Sequence, residues 1–447
     1  MDLFGTDGVR GEVNVDITPE LALKLGKATE IITEKGDAVL VCTDTRKSGR
    51  TLECALGSGI SSIGRKAYLL EVLPTPAIPI LLDKFDAEVG AVVSASHNLA
   101  KDNGIKFFNS RGLKLAPNVE EKLEKFIVTR ESEAGASWEG IGDIKRVDNS
   151  EELYLESVKE RFSYGLPDLS DVTMVVDCGH GATYRVGPDI FTELGAEVIE
   201  IGVNPTGFNI NKQCGSTSLD KLRGEVLSRE VDLGVAFDGD GDRAIFLDEE
   251  GNEINGDRVL YIAAKWLLNR GELEPRTVVS TVMSNLGLEK SLTELGINLI
   301  RTQVGDKYVA QEMVDREALV GGEQSGHIIF REINTTGDGL ITALMMLKIL
   351  QETDKKLSRL GSGMMHYPQV LNNIPTKNKE DLRANTRISE EISRWKGELG
   401  ERGRILVRPS GTQDVVRVMV EGRTQERAEE VAHQLGQFID EQLNQDN

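Results

Sequence analysis

The sequence predicts an α/β protein with three similar α/β domains, whose sheets are mixed but mostly parallel, and a smaller C-terminal α+β domain. Its 447 residues are about three times the length of a typical domain. Strand-like and helical patterns alternate along most of the chain, which favours parallel sheets. A buried strand pattern also runs three times into a polar turn and a helix, at residues 44–46, 177–181 and 283–287.

The individual elements follow from local signals taken in chain order. Thr18 suits a helix N-cap, Pro19 the first helical position, and Gly36 the C-cap of the same helix. The C-terminal segment predicts a charged helix near residues 379–396 and a last helix from Gln425. Apolar runs predict strands at residues 38–41, 68–73, 89–93, 172–176, 235–237, 244–247, 278–282, 318–320, 404–407 and 415–420.

Two stretches indicate domain boundaries: residues 130–142 are rich in Glu, Gly and Ser, and residues 361–368 precede a C-terminal segment with a different pattern. A new helical pattern begins near Glu151, shortly after the first stretch. We therefore expect α/β domains at residues 1–148, 149–249 and 250–363, and the C-terminal domain at residues 364–447.

Composition excludes several classes of protein. With 39% hydrophobic and 28% charged residues, the chain is neither disordered nor a membrane protein. Its net charge of −21 argues against non-specific binding of nucleic acid or an anionic membrane. The first ten residues lack the apolar stretch of a signal peptide, so we expect a cytoplasmic protein. Four widely spaced cysteines indicate neither a disulfide framework nor a zinc site.

The strongest candidate site is the loop from Asp238 to Arg243. Its three carboxylates alternate with glycines, so their oxygens can turn onto one hard cation, and Mg²⁺ suits such ligands. An EF-hand is an alternative because Glu249 stands at the twelfth position, but Arg243 replaces its required glycine and strands flank the loop. A plain acidic turn is the remaining alternative.

Two further loops follow predicted strands. Residues 94–98, Ser-Ala-Ser-His-Asn, place a serine where α/β sheets bind ligands. In residues 321–327, Glu323 and Ser325 can bind sugar hydroxyls, and His327 can contact a phosphate or a transferring proton. Either loop, taken alone, is also compatible with an ordinary polar turn.

Two more loops combine cationic side chains with glycines and hydroxyls. Residues 408–412, with Arg417 further on, offer two guanidinium groups and two hydroxyls for a phosphate. Residues 4–11 present Thr6, Asp7 and Arg10 in a glycine frame and are a second candidate phosphate loop. Ordinary surface turns are the alternative for both.

Together and in this order, the loops resemble the α-D-phosphohexomutase superfamily from Phe4 to Glu421. The resemblance implies four domains around a central cleft, a phosphorylated Ser96, and Mg²⁺ bound by Asp238, Asp240, Asp242 and the phosphoserine oxygen. It implies catalytic roles for Ser96, His97, Lys106, Arg10, Arg243 and His327. It implies substrate binding by Glu323, Ser325, Arg408, Ser410, Gly411, Thr412 and Arg417.

Within the superfamily, the sequence most resembles the phosphoglucosamine mutase family, on residues 4–11, 102–108, 281–287, 322–327 and 335–339. This implies interconversion of glucosamine 6-phosphate and glucosamine 1-phosphate through a bisphosphorylated sugar, with priming by a sugar 1,6-bisphosphate. A homodimer is compatible with the sequence.

Two alternatives stay open on the sequence alone. One is a phosphomannomutase/phosphoglucomutase, although such proteins usually carry methionine where Gln324 stands. The other is a sugar-phosphate-binding protein without turnover. Three departures from the family pattern bear on substrate preference, namely Leu99 for proline, Ser218 for histidine, and Gln413-Asp414 for Glu-Pro.

Overall fold

The computed structural model describes residues 3–5, 7–34, 37–129, 135–410 and 414–444. The chain forms two compact units. The first unit comprises Met1–Thr281 and Ile300–Ser362, and the second comprises Val282–Leu299 and Gly363–Asn447. No helix within the described ranges is long and apolar enough to cross a bilayer.

The first sheet has the strand order β1-β5-β4-β2-β3-β6. Strand β2 is buried along its whole length, because helices pack on this part of the sheet. The strands are β1 (Val9–Glu12), β2 (Ala38–Thr43), β3 (Lys66–Val72), β4 (Ala87–Val93), β5 (Asp102–Asn109) and β6 (Ile144–Arg146).

The next two sheets have the orders β11-β10-β9-β7-β8 and β13-β12-β14-β15. The second sheet contains β7 (Thr173–Asp177), β8 (Glu197–Ile201), β9 (Leu233–Phe237), β10 (Ala244–Asp248) and β11 (Glu253–Ile254). The third contains β12 (Thr277–Thr281), β13 (Asn298–Thr302), β14 (Val320–Gly322) and β15 (Ile328–Phe330).

The C-terminal sheet is antiparallel and has the order β16-β18-β17. Its strands are β16 (Gln369–Pro375), β17 (Arg404–Pro409) and β18 (Val415–Glu421). The predicted fold class, three α/β sheets followed by a smaller α+β region, is confirmed by these four sheets.

The helices alternate with the strands in the first three sheets and flank the C-terminal one. They are α1 (Pro19–Ala28), α2 (Gly49–Ser62), α3 (Ala77–Leu81), α4 (Pro117–Thr129), α5 (Ser150–Arg161), α6 (Val186–Glu193), α7 (Asp220–Ser228), α8 (Gly256–Arg270), α9 (Leu286–Glu294), α10 (Asp306–Asp315), α11 (Gly339–Thr353), α12 (Leu357–Gly361), α13 (Thr386–Leu399) and α14 (Gln425–Asn444).

The first three sheets share a local plan that positions the site. In each, a strand within the parallel part of the sheet turns back as an antiparallel hairpin: β4 into β5, β9 into β10, and β14 into β15. Each hairpin loop therefore lies at the carboxyl end of a parallel strand, where α/β sheets bind ligands. The serine, carboxylate and Glu323 loops are these three hairpin loops.

Most predicted elements are confirmed, with corrections at their ends. The Leu21 N–H donates to the Thr18 side chain, as expected of an N-cap. Helix α1 nevertheless ends at Ala28 in a 3₁₀ turn, because β-branched residues follow, and Gly36 lies outside the described residues. Strand β14 begins only at Val320 and continues into the glycines.

The charged C-terminal helix is also shorter than predicted. It starts at Thr386, because Asn385 accepts a hydrogen bond from the Ile388 N–H and acts as its N-cap. Residues Lys379–Arg383 form a separate 3₁₀ turn. Eight strands within the described ranges were not among the predicted strands, namely β1, β5, β6, β8, β11, β13, β15 and β16.

Helices α1 and α2 pack against each other through glycines, and this contact yields a stability prediction. A Cβ atom at Gly59 would lie 2.9 Å from the Lys27 nitrogen and 3.0 Å from Gly26 Cα. We expect Gly59→Ala to lower the free energy of unfolding by about 1–3 kcal/mol, because the helices must separate. Circular dichroism during heating measures the change.

Gly224→Ala is the matched control, since an added Cβ in the middle of α7 meets no atom within 4 Å. It is expected to stabilise the protein by about 0.5–1 kcal/mol through higher helix propensity. Equal melting temperatures for the two variants would contradict the close helix contact.

Candidate active site

Ser96 occupies a strained position in the β4–β5 loop. Its φ angle is 49°, in the left-handed region that residues other than glycine rarely adopt. Its N–H donates to Ser94 Oγ at 3.0 Å, and its own Oγ donates to Asp238 Oδ2 at 2.7 Å. Such strain persists only where the surroundings hold the residue, and it is commonly found at functional sites.

Two side chains hold this loop from outside it. The Asn211 amide donates to the carbonyls of Ser96 and Asn98, at 2.9 Å each. Arg46 donates to the same two carbonyls, at 3.2 and 2.5 Å. Asp44 pairs with Arg46 and accepts a hydrogen bond from Ser94. We call Arg46 and Asn211 the loop clamp.

The three predicted metal ligands converge in the β9–β10 hairpin. Carboxylate oxygens of Asp238, Asp240 and Asp242 lie within 4.8 Å of one another, and all three residues are buried. Within the described ranges, the buried Oδ1 atoms of Asp240 and Asp242 have no hydrogen-bond partner. Buried acceptors without donors are costly unless a cation binds them. The residues therefore fit a hard divalent cation.

The groups around these three carboxylates determine which of them carry a negative charge. Burial, together with the neighbouring Asp242 and Asp240, raises the pKa of Asp238 well above its usual value. Burial and Asp242 also act against ionisation of Asp240, but Lys106 outweighs them and the pKa of Asp240 is lowered. Asp240 and Asp242, the two carboxylates nearest Lys106, are therefore ionised more readily than Asp238.

Lys106 and Arg243 supply the positive charge at the cluster. Lys106 Nζ, on β5, lies 2.7 Å from Asp240 Oδ2 and 3.7 Å from Asp242 Oδ2. Burial opposes its charge, but the surrounding carboxylates raise its pKa. The Arg243 backbone N–H donates to Asp238 Oδ1 at 3.2 Å, and its guanidinium lies 3.7 Å from Asp242. The structure thus brings both residues to the carboxylate cluster.

His97 and His327 flank the cluster in different states. Burial, then Arg243 and Arg10, lowers the pKa of His97 to about 4, so this ring is neutral near neutral pH. His327 Nε2 accepts a hydrogen bond from the Gly337 N–H at 3.0 Å. Nδ1, 3.5 Å from Asp242, is therefore a protonated nitrogen of the His327 ring. Burial opposes a charge on this ring, but Asp242, Asp306 and Glu323 outweigh it and the pKa of His327 is raised.

A second set of possible metal ligands is also compact enough to hold an ion, and it consists of Asp242, Asp306 and His327. Its acceptor atoms are already in use, because Lys114 Nζ lies 2.5 Å from Asp306 and the Gly337 N–H binds His327. The group of Asp238, Asp240 and Asp242 is therefore the better cation site.

The N-terminal loop joins the site through ion pairs. Arg10 pairs with Asp7, and Asp7 pairs with Lys114, which also contacts Asp306. Burial opposes ionisation of Asp7, but Lys114, Lys106 and Arg10 lower its pKa well below the usual value. Thr6 lies outside the described residues.

The Glu323 loop offers polar groups for a ligand. Glu323 Oε1 accepts the Gly305 N–H at 3.2 Å, which orients its carboxylate. The buried Ser325 Oγ has no partner among the described residues. A buried hydroxyl without a partner favours a hydrogen bond to a bound molecule.

The predicted phosphate loop belongs to the second unit. Arg408 on β17 lies directly opposite Arg417 on β18. Partial burial and Arg417 lower the pKa of Arg408. Like charges directly opposite each other destabilise a sheet, which favours an anion at this pair. The Ser410 N–H donates to the Val415 carbonyl at 2.9 Å, and Gly411, Thr412 and Gln413 lie outside the described residues.

Sequence reasoning missed the residues that hold the loops in place, namely Asp44, Arg46, Asn211 and Lys114. Asp44 and Arg46 stand in a polar turn after a buried strand, and such a turn by itself predicts only the boundary between two elements. Asn211 and Lys114 carry no comparable local signal.

Four family models match the chain in order. They describe phosphoglucomutase/phosphomannomutase alpha/beta/alpha domain I at residues 1–134, domain II at 152–251, domain III at 255–367, and the C-terminal domain at 371–437.

Curated relatives match over almost the whole chain. The phosphoglucosamine mutase of Natranaerobius thermophilus is 45% identical and covers 98% of both chains. That of Carboxydothermus hydrogenoformans is 46% identical and covers 97% of this chain and 98% of its own.

Solved structures share the fold. A phosphoglucomutase/phosphomannomutase family protein from Burkholderia thailandensis superposes with a TM-score of 0.83 at 24% identity, over 99% of this chain and 98% of its own. N-acetylphosphoglucosamine mutase from Aspergillus fumigatus, in complex with GlcNAc-6P and magnesium, has a TM-score of 0.70 at 15% identity, over 99% and 96%.

The buried contact of Lys106 with Asp240 yields a prediction for the metal-free protein. Lys106→Met leaves a buried carboxylate without its cation, so we expect a loss of about 3–5 kcal/mol in the free energy of unfolding. Thermal melting in chelator measures this loss, and added divalent cation should recover more stability in the variant than in the parent.

Lys66→Met is the matched control, because Lys66 is exposed at the start of β3 and should tolerate the change. Equal melting temperatures for the two variants would contradict the conclusion that Lys106 stabilises the buried carboxylates.

Proposed function

The chain belongs to the phosphoglucomutase/phosphomannomutase family, and we propose that it interconverts glucosamine 6-phosphate and glucosamine 1-phosphate. The curated relatives that share about 45% of its residues over nearly the full length are named phosphoglucosamine mutase. The observation that carries the proposal is the contact of Ser96 Oγ with Asp238, 2.7 Å, within a cluster of three buried carboxylates.

Ser96 is the proposed phosphoryl carrier. The clamp of Arg46 and Asn211 fixes its backbone, so its oxygen is held in place before any substrate binds. Preorganised geometry of this kind lowers the barrier to group transfer. Phosphoserine would give its phosphoryl group to a sugar phosphate, and the second phosphate of the bisphosphate would later return to Ser96.

Asp238, Asp240 and Asp242 are the proposed Mg²⁺ ligands, with a phosphoserine oxygen as a further ligand. When bound, Mg²⁺ neutralises charge on a transferring phosphoryl group. Lys106 and Arg243 add fixed positive charge at the same place, and Lys106 is the proposed proton-transfer group. Its contacts hold it as an ammonium, which suits donation of a proton to the departing Ser96 oxygen.

The remaining residues are proposed to bind the sugar phosphate. Glu323 and Ser325 would accept and donate hydrogen bonds at sugar hydroxyls, and His327 would orient Asp242. Arg408 and Arg417 would bind the phosphate that is not reacting, because their positions directly opposite each other on neighbouring strands bring two guanidinium-bearing residues together. Gly411 and Thr412 are proposed to complete that loop.

The substrate is tested by initial rates. The protein, primed with glucose 1,6-bisphosphate, is given glucosamine, glucose and mannose 6-phosphates in turn. We expect kcat/KM to be highest for the glucosamine phosphate, by roughly tenfold or more, which corresponds to about 1.4 kcal/mol in the transition state. A preference for glucose or mannose phosphate would contradict the amino-sugar assignment.

We predict that part of the purified protein is heavier by one phosphate, carried on Ser96. Ser96→Ala should remove both this species, seen by intact mass spectrometry, and nearly all turnover. Ser94→Ala is the matched control: it should keep the phosphate but lower kcat, because it removes the acceptor of the Ser96 N–H and a donor to Asp44 but leaves the Ser96 hydroxyl in place.

Protein that has been dephosphorylated should regain turnover only after a sugar 1,6-bisphosphate is added. A Ser96→Ala protein that retains most of its activity would rule out Ser96 as the carrier.

We predict that Arg408→Ala raises KM several-fold with a smaller fall in kcat. The phosphate it binds is held in the ground state and in the transition state alike, so mainly uniform binding is lost. Steady-state kinetics with glucosamine 6-phosphate measure the change. Arg402→Ala removes an exposed arginine of the same unit and should leave both constants unchanged. An unchanged KM for Arg408→Ala would exclude this loop as the phosphate site.

A further inference from the structure

A second cavity, separate from the site above, borders the segment that carries Ser96. Its volume is about 780 Å³, which lies within the range of small-molecule sites. All of its walls belong to the first unit. They include Lys47, Ser48, Leu99, Lys101, Phe208 and Lys212.

The cavity is positively charged although the chain carries a net charge of −21. Lys47, Lys101 and Lys212 line it, against Glu12 as the single carboxylate of the lining. Lys101 lies 3.8 Å from Glu12, and both side chains are more than half exposed. Lys47 and Lys212 form no ion pair with any residue in the ranges that the structure describes. The lining therefore favours an anion with more than one charge.

The first turn of α2 adds to the positive electrostatic potential of the cavity. Ser48 stands at its N-cap, but its hydroxyl makes no capping hydrogen bond and instead accepts from the Asn103 amide at 2.9 Å. The N-terminus of a helix carries partial positive charge and unsatisfied N–H groups, which favour phosphate oxygens. Ser48 and Thr51, both from this end of α2, line the cavity.

Apolar groups stand beside the lysines. Phe208 is 68% exposed and Leu99 is 52% exposed, and both line the cavity. An exposed aromatic face beside cations suits a planar ring that is joined to phosphates. We propose that this cavity binds a nucleoside diphosphate or triphosphate, with its phosphates on the lysines and its base on Phe208.

Three residues that line the cavity directly follow, in the sequence, residues that hold or belong to the Ser96 loop. Lys47 follows Arg46, Lys212 follows Asn211, and Leu99 follows Asn98, whose carbonyl receives hydrogen bonds from both clamp residues. The Lys47 N–H also donates to the Gly207 carbonyl at 3.0 Å and joins two of the walls. A ligand that draws the three lysines together therefore acts on the residues that hold Ser96, and the nucleotide is an effector of turnover.

Calorimetric titration of the full-length protein with ADP in metal-free buffer tests the site. Removal of metal prevents ADP from binding through a cation at the carboxylates. We expect a Kd of roughly 1 mM or tighter for the parent protein. The double variant Lys47→Ala/Lys212→Ala should bind on the order of tenfold more weakly, because two charge-assisted contacts are lost.

Two controls define what is bound. Lys122→Ala/Lys125→Ala makes the same change in net charge on exposed residues of α4 and should bind ADP as the parent does. Phe208→Ala should weaken ADP but leave the affinity for inorganic pyrophosphate unchanged, because only the base contact is removed. Lack of ADP binding, equal weakening in both double variants, or displacement of ADP by glucosamine 6-phosphate would overturn the proposal.

The coupling is tested by kcat at saturating sugar phosphate. ADP should change kcat of the parent protein and leave kcat of Lys47→Ala/Lys212→Ala unchanged. Binding without any change in kcat would overturn the effector role. Because the titration does not depend on turnover, the cavity is tested even if the proposed reaction proves wrong.

Discussion

The arrangement of the site depends on the burial of three carboxylates in one short hairpin. Asp238, Asp240 and Asp242 are almost fully buried, and like charges at this spacing repel strongly where water is excluded. Cationic and proton-donating groups must therefore surround them. Lys106 comes from the first sheet, Arg243 from the hairpin itself, and His327 from the third sheet. The need to compensate these charges brings three sheets of the first unit to one place.

The three sheets contribute equivalent pieces with different chemistry. In each, the loop at the turn from a parallel to an antiparallel strand carries the functional groups. The first loop holds a strained serine, the second the carboxylates, and the third Glu323 and Ser325. One backbone plan thus supplies a nucleophile, a cation site and ligand contacts, and the differences lie in the loop residues.

The parts of the site that were predictable from the sequence are those encoded locally. Alternating aspartates and glycines after a strand allow several carboxylate oxygens to turn onto one cation, and the serine loop follows an apolar strand. The parts that were not predictable depend on contacts distant in sequence. Asn211 lies 115 positions from Ser96, yet its amide binds the Ser96 carbonyl. The same holds for β5, because its strand is defined by pairing with β1 and β4.

The proposed cation site is tested most directly by a crystal structure of the phosphorylated protein with Mn²⁺ in place of Mg²⁺, located by anomalous scattering. We expect one ion in contact with Asp238, Asp240 and Asp242 and with an oxygen of phosphorylated Ser96. An ion between Asp242, Asp306 and His327, or a phosphate on another residue, would contradict this expectation.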